Sequence, residues 1–249
     1  MANGAWAEFK GDLRASLKAW GVAPLLPVIS VLLFLTGHIP QAWWWAAAPV
    51  FLFTIGWFGT ERIWYLRIYR GQTIGAADLW RATRAFFWRF LRLGLLAVLV
   101  WVPVVFIAMG KADDPEQFDR VFSEPLIWVT AAILTIAVDF SLTFVTPALA
   151  YSTNRVGEAL TLGFRMLREE WPRPIWYAVV PPLAVVVMLR VTEPAGIGIV
   201  EQMSLTAAST LLNLWFKGAT AAFYLRRVEV GENDGAVPVG GGEQPAAGD

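Results

Sequence analysis

The chain has 249 residues, 57% of them hydrophobic and 16% charged, with 20 basic and 20 acidic side chains and no cysteine. Soluble domains sit near about 45–50% apolar and about 25% charged, so a mean hydropathy of +0.52 points to an integral membrane protein. The missing cysteine excludes disulfides, thiolate catalysis and cysteine-bound metals.

Residues 1–20 place Trp6, Phe9, Leu13, Leu17 and Trp20 at helical spacing. Glu8, Lys10, Asp12, Arg14 and Lys18 are spread among them, which predicts an interfacial helix and not a cleaved signal peptide. A first span is expected at about 22–37. After the turn His38-Ile39-Pro40 a second runs from about 42 to 60, opened by the belt residues Trp43, Trp44 and Trp45. It continues beyond the membrane through Glu61, Arg62, Arg67 and Arg70.

Residues 70–92 carry Leu79, Trp80, Thr83, Phe86, Phe87 and Phe90 on one helical face and Asp78, Arg81, Arg84, Arg89 and Arg92 on the others. This pattern predicts a basic helix lying flat in the bilayer interface. A third span follows at about 93–109, then a polar acidic loop at 111–124 and a fourth span at about 125–149. A second surface helix over 151–171 has Leu160, Phe164, Leu167 and Trp171 on its apolar face. Glu158, Arg165, Arg168 and Glu169 form its polar face. The fifth span, about 174–190, contains Pro181-Pro182; the sixth, about 203–225, is stopped by Arg226 and Arg227. The tail 231–249 is Gly, Pro, Ala and acid, the composition of a disordered segment.

The fold class is therefore an all-α integral membrane protein of about six transmembrane helices with cytoplasmic amphipathic helices, in a single domain over 1–230. The unit of apolar span, surface helix and apolar span occurs twice, at about 42–109 and 125–190. Gly75 aligns with Gly157 and Ala77 with Ala159, and both units run inward, so the repeats are parallel and not inverted. Sixteen lysines and arginines fall on one side of this map (the N-terminus, 61–92, 150–173 and the end of span six). Lys111, Arg120 and Arg190 fall on the other. The imbalance puts both termini in the cytoplasm of a bacterial inner (plasma) membrane, as a multi-pass protein.

The segment Phe144-Val145-Thr146-Pro147-Ala148-Leu149-Ala150, followed by Val156-Gly157-Glu158-Ala159-Leu160 and Phe164 to Trp171, resembles a group of bacterial and archaeal six-helix membrane proteins. The group includes the membrane domain of some glycerophosphoryl diester phosphodiesterases. The similarity covers roughly 140 to 190, and 60 to 110 more loosely. It implies a six-span fold, and no phosphodiesterase activity carries over because the chain has no room for that catalytic domain.

Two ionisable residues sit inside spans, Asp139 in the fourth and Lys217 in the sixth, at similar depth. Charge at mid-bilayer costs about 2.5–3.5 kcal/mol on insertion scales, so such residues tend to pair and to mark function. They form an intramembrane pair, or Asp139 is hydrogen-bonded in a strip with Thr135, Ser141 and Thr143 while Lys217 snorkels. Arg62, Arg67, Arg70, Arg81, Arg84, Arg89 and Arg92 form the densest basic surface, suited to anionic lipid headgroups or an acidic membrane partner. Nucleic acid is not expected.

His38 is the sole histidine, which excludes a histidine-based triad elsewhere and a multi-histidine metal site. The acids of 111–124 lack the spacing and glycine of a calcium loop, and Gly196-Ile197-Gly198 is no nucleotide fingerprint. No catalytic residue, metal or cofactor is expected. The leading functional expectation is a non-enzymatic accessory, scaffold or assembly protein that binds lipids or other membrane subunits. The alternative is a small transporter or channel subunit using Asp139 and Lys217, with Asn213 and Thr210 beside them.

Overall fold

The structure, a computed structural model, describes residues 2–22, 61–62, 64–72, 75–111, 125–191 and 198–228, with isolated positions 31, 35, 45 and 49. Every regular element among them is helical, as the apolar spacing implies. In chain order these are α1 (Ala2–Lys18), a 3-10 turn (Trp20–Val22), helical residues at 61–62 and 64–69, α2 (Ala76–Lys111), α3 (Pro125–Leu142), α4 (Val145–Tyr151), α5 (Val156–Glu169), α6 (Ile175–Val191) and α7 (Ile199–Arg227). The first two expected spans, His38, the loop after Lys111 and the tail lie outside the described residues.

Pro125–Tyr151, which takes in α3 and α4, is long and apolar enough to cross a membrane; Ile175–Ala184 is apolar but shorter. A turn at residues 143–144 separates α3 from α4. The chain then turns again and starts α5 at Val156, so the second surface helix exists as an element distinct from the apolar helices on either side of it.

The first surface helix does not. The basic amphipathic stretch and the apolar stretch after it form one uninterrupted helix of 36 residues, α2. At 1.5 Å per residue it is about 54 Å long, more than a bilayer core. Nothing between Arg92 and Leu95 breaks a helix: Gly94 costs only about 1 kcal/mol, and Pro103 lies further on. A segment rigidly continuous with an apolar helix cannot turn to lie flat, so the two-element expectation is corrected to one long helix.

Helices α2 and α5 each carry an acid in the first turn. Asp78 and Glu158 are each the third residue of their helix. Asp78 Oδ2 accepts from the Gly75 N–H at 3.3 Å, while Glu158 Oε2 accepts from the Thr153 hydroxyl at 2.6 Å. The helix starts thus correspond at Asp78 and Glu158. That is two residues away from the Gly75–Gly157 alignment, since Gly75 precedes its helix and Gly157 lies inside one.

The core is aromatic. Phe9, Phe144, Tyr177 and Phe223 are buried together, with Tyr177 4.4 Å from Phe223 and 4.9 Å from Phe9 between ring centroids. α1 packs chiefly on α7, α5 on α4, and α6 on both α3 and α7. Two glycines permit close approaches between elements. A Cβ on Gly163 would stand 2.7 Å from the Val145 backbone nitrogen, and one on Gly218 would overlap Ser16 and the Tyr65 ring.

Candidate functional site

Four charged side chains that the sequence distributes over three segments come together near one cleft. It has a volume of about 190 Å³ and is lined by Arg62, Asp139, Thr143, Thr146, Tyr177, Pro181, Pro182, Asn213, Lys217 and Thr220, with Leu142 and Phe216. Asp139 and Lys217, expected at similar depth, do border the same space. Lys217 pairs with Glu61, its Nζ 3.7 Å from Oε2, and Asp139 attracts it as well.

Arg62 departs from the basic surface assigned to it: only 4% of the residue is exposed. Its Nη2 donates to Thr146 Oγ1 at 3.1 Å, and its backbone carbonyl accepts from the Tyr151 hydroxyl at 2.9 Å. The helical residues 61–62 and 64–69 are locked against α4 and α7, which draws Arg62 inward. Tyr65 and Tyr69 donate to the carbonyls of Leu214 and Gly218 at 3.0 and 2.8 Å. Among the described residues, Arg62 Nε and Nη1 have no hydrogen-bond partner, and neither do the carboxylate oxygens of Glu61, a residue 3% exposed. Buried guanidinium N–H groups are costly to leave unbonded.

The remaining arginines of that surface behave differently from one another. Arg67 is held at 2.9 Å by Asp78, which also binds Arg81 at 2.7 Å. The Gly75 N–H above all, opposed by desolvation and aided by the charges of Arg67 and Arg81, holds the Asp78 carboxyl below its ordinary value. Arg89 lies over the Phe86 ring, 4.8 Å from its centroid. Arg70, Arg84 and Arg92 are exposed.

α2 also carries an exposed stripe with a break in its chemistry. Trp80, Arg84, Trp88 and Arg92 lead into Leu95, Leu99, Val102 and Phe106, all exposed and spaced three or four residues apart. The stripe changes from tryptophan and arginine to purely apolar side chains between Arg92 and Leu95.

A second cluster, which the sequence did not suggest, lies where α1 meets the end of α7. Asp12, 3% exposed, accepts from the Tyr177 hydroxyl at 2.5 Å and from both terminal nitrogens of Arg226. Glu8 binds Arg226 at 3.1 Å and Arg227 at 2.8 Å, and Arg227 binds Glu170 at 2.7 Å. With Arg173 3.9 Å from Glu8, three acids face three arginines. Burial alone would raise the Glu8 carboxyl; hydrogen bonds from Arg227 and Arg226 and their charges outweigh it and hold it low. Hydrogen bonding to Asp12 holds the Arg226 guanidinium above its usual range. Tyr177 joins the two clusters, since its ring borders the cleft while its hydroxyl holds α1.

The cleft can bind and orient. Arginine and lysine offer N–H donors, and Asp139 offers acceptors. Pro181 and Pro182 have no N–H, which leaves the carbonyls of Tyr177 and Ala178 without a donor four residues on. Among the described residues, no three or more His, Asp or Glu side chains are arranged to hold a metal. Comparison with known protein families, with characterised proteins and with solved structures returns no match.

Proposed function

We propose that the chain is a six-span bacterial inner-membrane protein, with both termini cytoplasmic, that binds a small polar solute within its bundle as a carrier or channel subunit. The observation that carries this reading is the convergence of Arg62, Asp139 and Lys217, with Glu61 behind, on a single cleft between apolar helices. Charge in such a place is expensive and marks a pathway or binding site more often than a purely structural contact. The sequence tilted toward an accessory role because the bundle interior read as apolar; the buried Arg62 and Glu61 remove that reason.

Several features support the membrane setting. Pro125–Tyr151 has the length and apolarity of a span. The apolar half of the exposed α2 stripe would face acyl chains, and its Trp/Arg half the headgroups, with the border near Arg92. The joining of α1 to the end of α7 puts both on one face of the protein, in keeping with the lysine and arginine bias.

A second reading, the accessory or scaffold protein that binds anionic lipid or another membrane subunit, draws on the exposed Trp80, Arg84, Trp88 and Arg92. Extraction in mild detergent at native expression, followed by reconstitution into vesicles, separates the two. The carrier reading expects a protein that purifies without a stoichiometric partner and gives solute or proton flux that Lys217→Met abolishes. A stoichiometric membrane subunit and no flux would overturn it in favour of the accessory role.

A further inference from the structure

Resting on the solute-binding reading, we propose that the ligand of the cleft is a zwitterion, a group bearing a primary ammonium beside a carboxylate or phosphate-ester oxyanion. Of the four charges at the site, Lys217 is paired with Glu61 at 3.7 Å and shares its charge more weakly with Asp139. Arg62 and Asp139 remain as opposite poles of one lined space.

Arg62 is buried and bonded to a neutral hydroxyl through Nη2, and its Nε and Nη1 have no partner among the described residues. These donors suit an oxyanion. Asp139, with the Tyr177 carbonyl that Pro181 leaves short of a donor, suits an ammonium. A lone anion would satisfy Arg62 but meet the repulsion of Asp139, and a lone cation the reverse. Each would also leave Arg62 or Asp139 without a counter-charge, whereas a zwitterion satisfies both poles and keeps the site neutral. The cleft of about 190 Å³ has room for roughly six waters at about 30 Å³ each. That suits a small head and not a bulky solute.

The same chemistry occurs in free amino acids and in the ethanolamine headgroup of a phospholipid, and one experiment distinguishes them. The full-length protein, delipidated in detergent, is titrated with alanine, with O-phosphoethanolamine and with phosphatidylethanolamine micelles. Propionate, inorganic phosphate and ethylammonium serve as singly functional controls, and the thermal midpoint is followed. At least one zwitterion is expected to raise the midpoint saturably by several degrees, at concentrations where the controls do nothing. Alanine or O-phosphoethanolamine acting alone identifies a free solute, and the lipid acting alone identifies a headgroup.

Asp139→Asn and Arg62→Gln should each abolish the shift, and Arg62→Lys should restore part of it. If Arg62→Gln does not fold, the exposed Asp139 still provides the test through Asp139→Asn. Phosphate or ethylammonium matching the zwitterions, an unchanged response in Asp139→Asn, or no response to any zwitterion would overturn the proposal. Zwitterion binding without flux would sustain it while removing the carrier reading. Flux of a singly charged solute with no zwitterion response would do the opposite.

Discussion

Asp12 and Arg226 lie 214 positions apart and meet as a two-pronged pair, each carboxylate oxygen taking one terminal nitrogen of the guanidinium. Bidentate pairing fixes orientation as well as distance. The Tyr177 hydroxyl adds a third bond to the same carboxylate, so one acid holds α1, α6 and α7 together. Asp12→Asn keeps the shape and loses the charge. Because Arg226 is half exposed, the cost should be modest, about 1–3 kcal/mol. It should appear in thermal unfolding, together with faster proteolysis within α1. Unchanged proteolysis would mean that the apolar face of α1 holds it without the clasp.

The pH dependence of that docking follows from Glu8. Its folded value lies below its ordinary 4.5, so the stability it contributes is present above about that pH and is lost as pH falls through the lowered value. The protection of α1 amides, taken relative to their intrinsic exchange rates, should therefore fall on going from pH 5 into the acid range, and the Glu8-dependent part should vanish in Glu8→Gln. An equal loss of protection in wild type and Glu8→Gln would assign the effect to another acid.

Lys217 and Glu61 allow a double-mutant test. Lys217→Met leaves a carboxylate that is 2% exposed without its cation and should cost about 3 kcal/mol. Glu61→Gln made together with Lys217→Met should recover most of that loss, since replacing both members of a buried pair is often near neutral. The cycle is read in denaturant or thermal midpoints. Strict additivity of the two changes would show that Lys217 depends on something other than Glu61.

Two glycines on α5 should respond in opposite ways. Gly163→Ala drives a methyl into the Val145 backbone nitrogen, which cannot swing aside, and should destabilise by about 1–3 kcal/mol. Gly157 has open space around its missing Cβ. Gly157→Ala should therefore stabilise by up to about 1 kcal/mol through helix propensity. Thermal unfolding of the two variants side by side reads the difference.

Because the chain has no cysteine, single cysteines along α2 can be labelled without background. A membrane-impermeant maleimide should react at positions 84 and 92 in inside-out vesicles and fail at 99 and 106. Uniform labelling of all four would place α2 outside the bilayer.

Of the five helices from Pro125 onward, α5, α6 and α7 were legible as separate elements because their signals are local, while α3 and α4 read as one span. Pro125 opens α3, Glu158 lies in the first turn of α5 and Arg226-Arg227 close α7, all within a few residues of where the apolar periodicity starts or stops. The long α2 was misread for a related reason. A change from amphipathic to wholly apolar spacing looks like an element boundary, yet a helix needs a breaker to end, and none stands between Arg92 and Leu95.

The site was half legible. Asp139 and Lys217 stood out as charges within apolar runs, and they do share a cleft. Arg62 and Glu61 did not stand out, since a run of Glu, Arg, Arg and Arg after a span has the composition of a wet surface. Arg62 is held inward by Thr146 and Tyr151, more than eighty positions away. The Asp12–Arg226 clasp is similarly invisible. Two acids four apart on a helix and two arginines at a chain's end are each ordinary, and only the fold brings them together.

That clasp also sets an order of events during synthesis. Asp12 leaves the ribosome long before Arg226 is made, so α1 has neither its guanidinium partner nor the Trp215 carbonyl that accepts from Ser16. A segment translated well before α7 must therefore be among the last to reach its final place. Until the final helix is delivered, the nascent chain carries an amphipathic helix with its apolar face uncovered. A ribosome stalled before residue 215 should leave α1 open to protease, and release of the completed chain should close it.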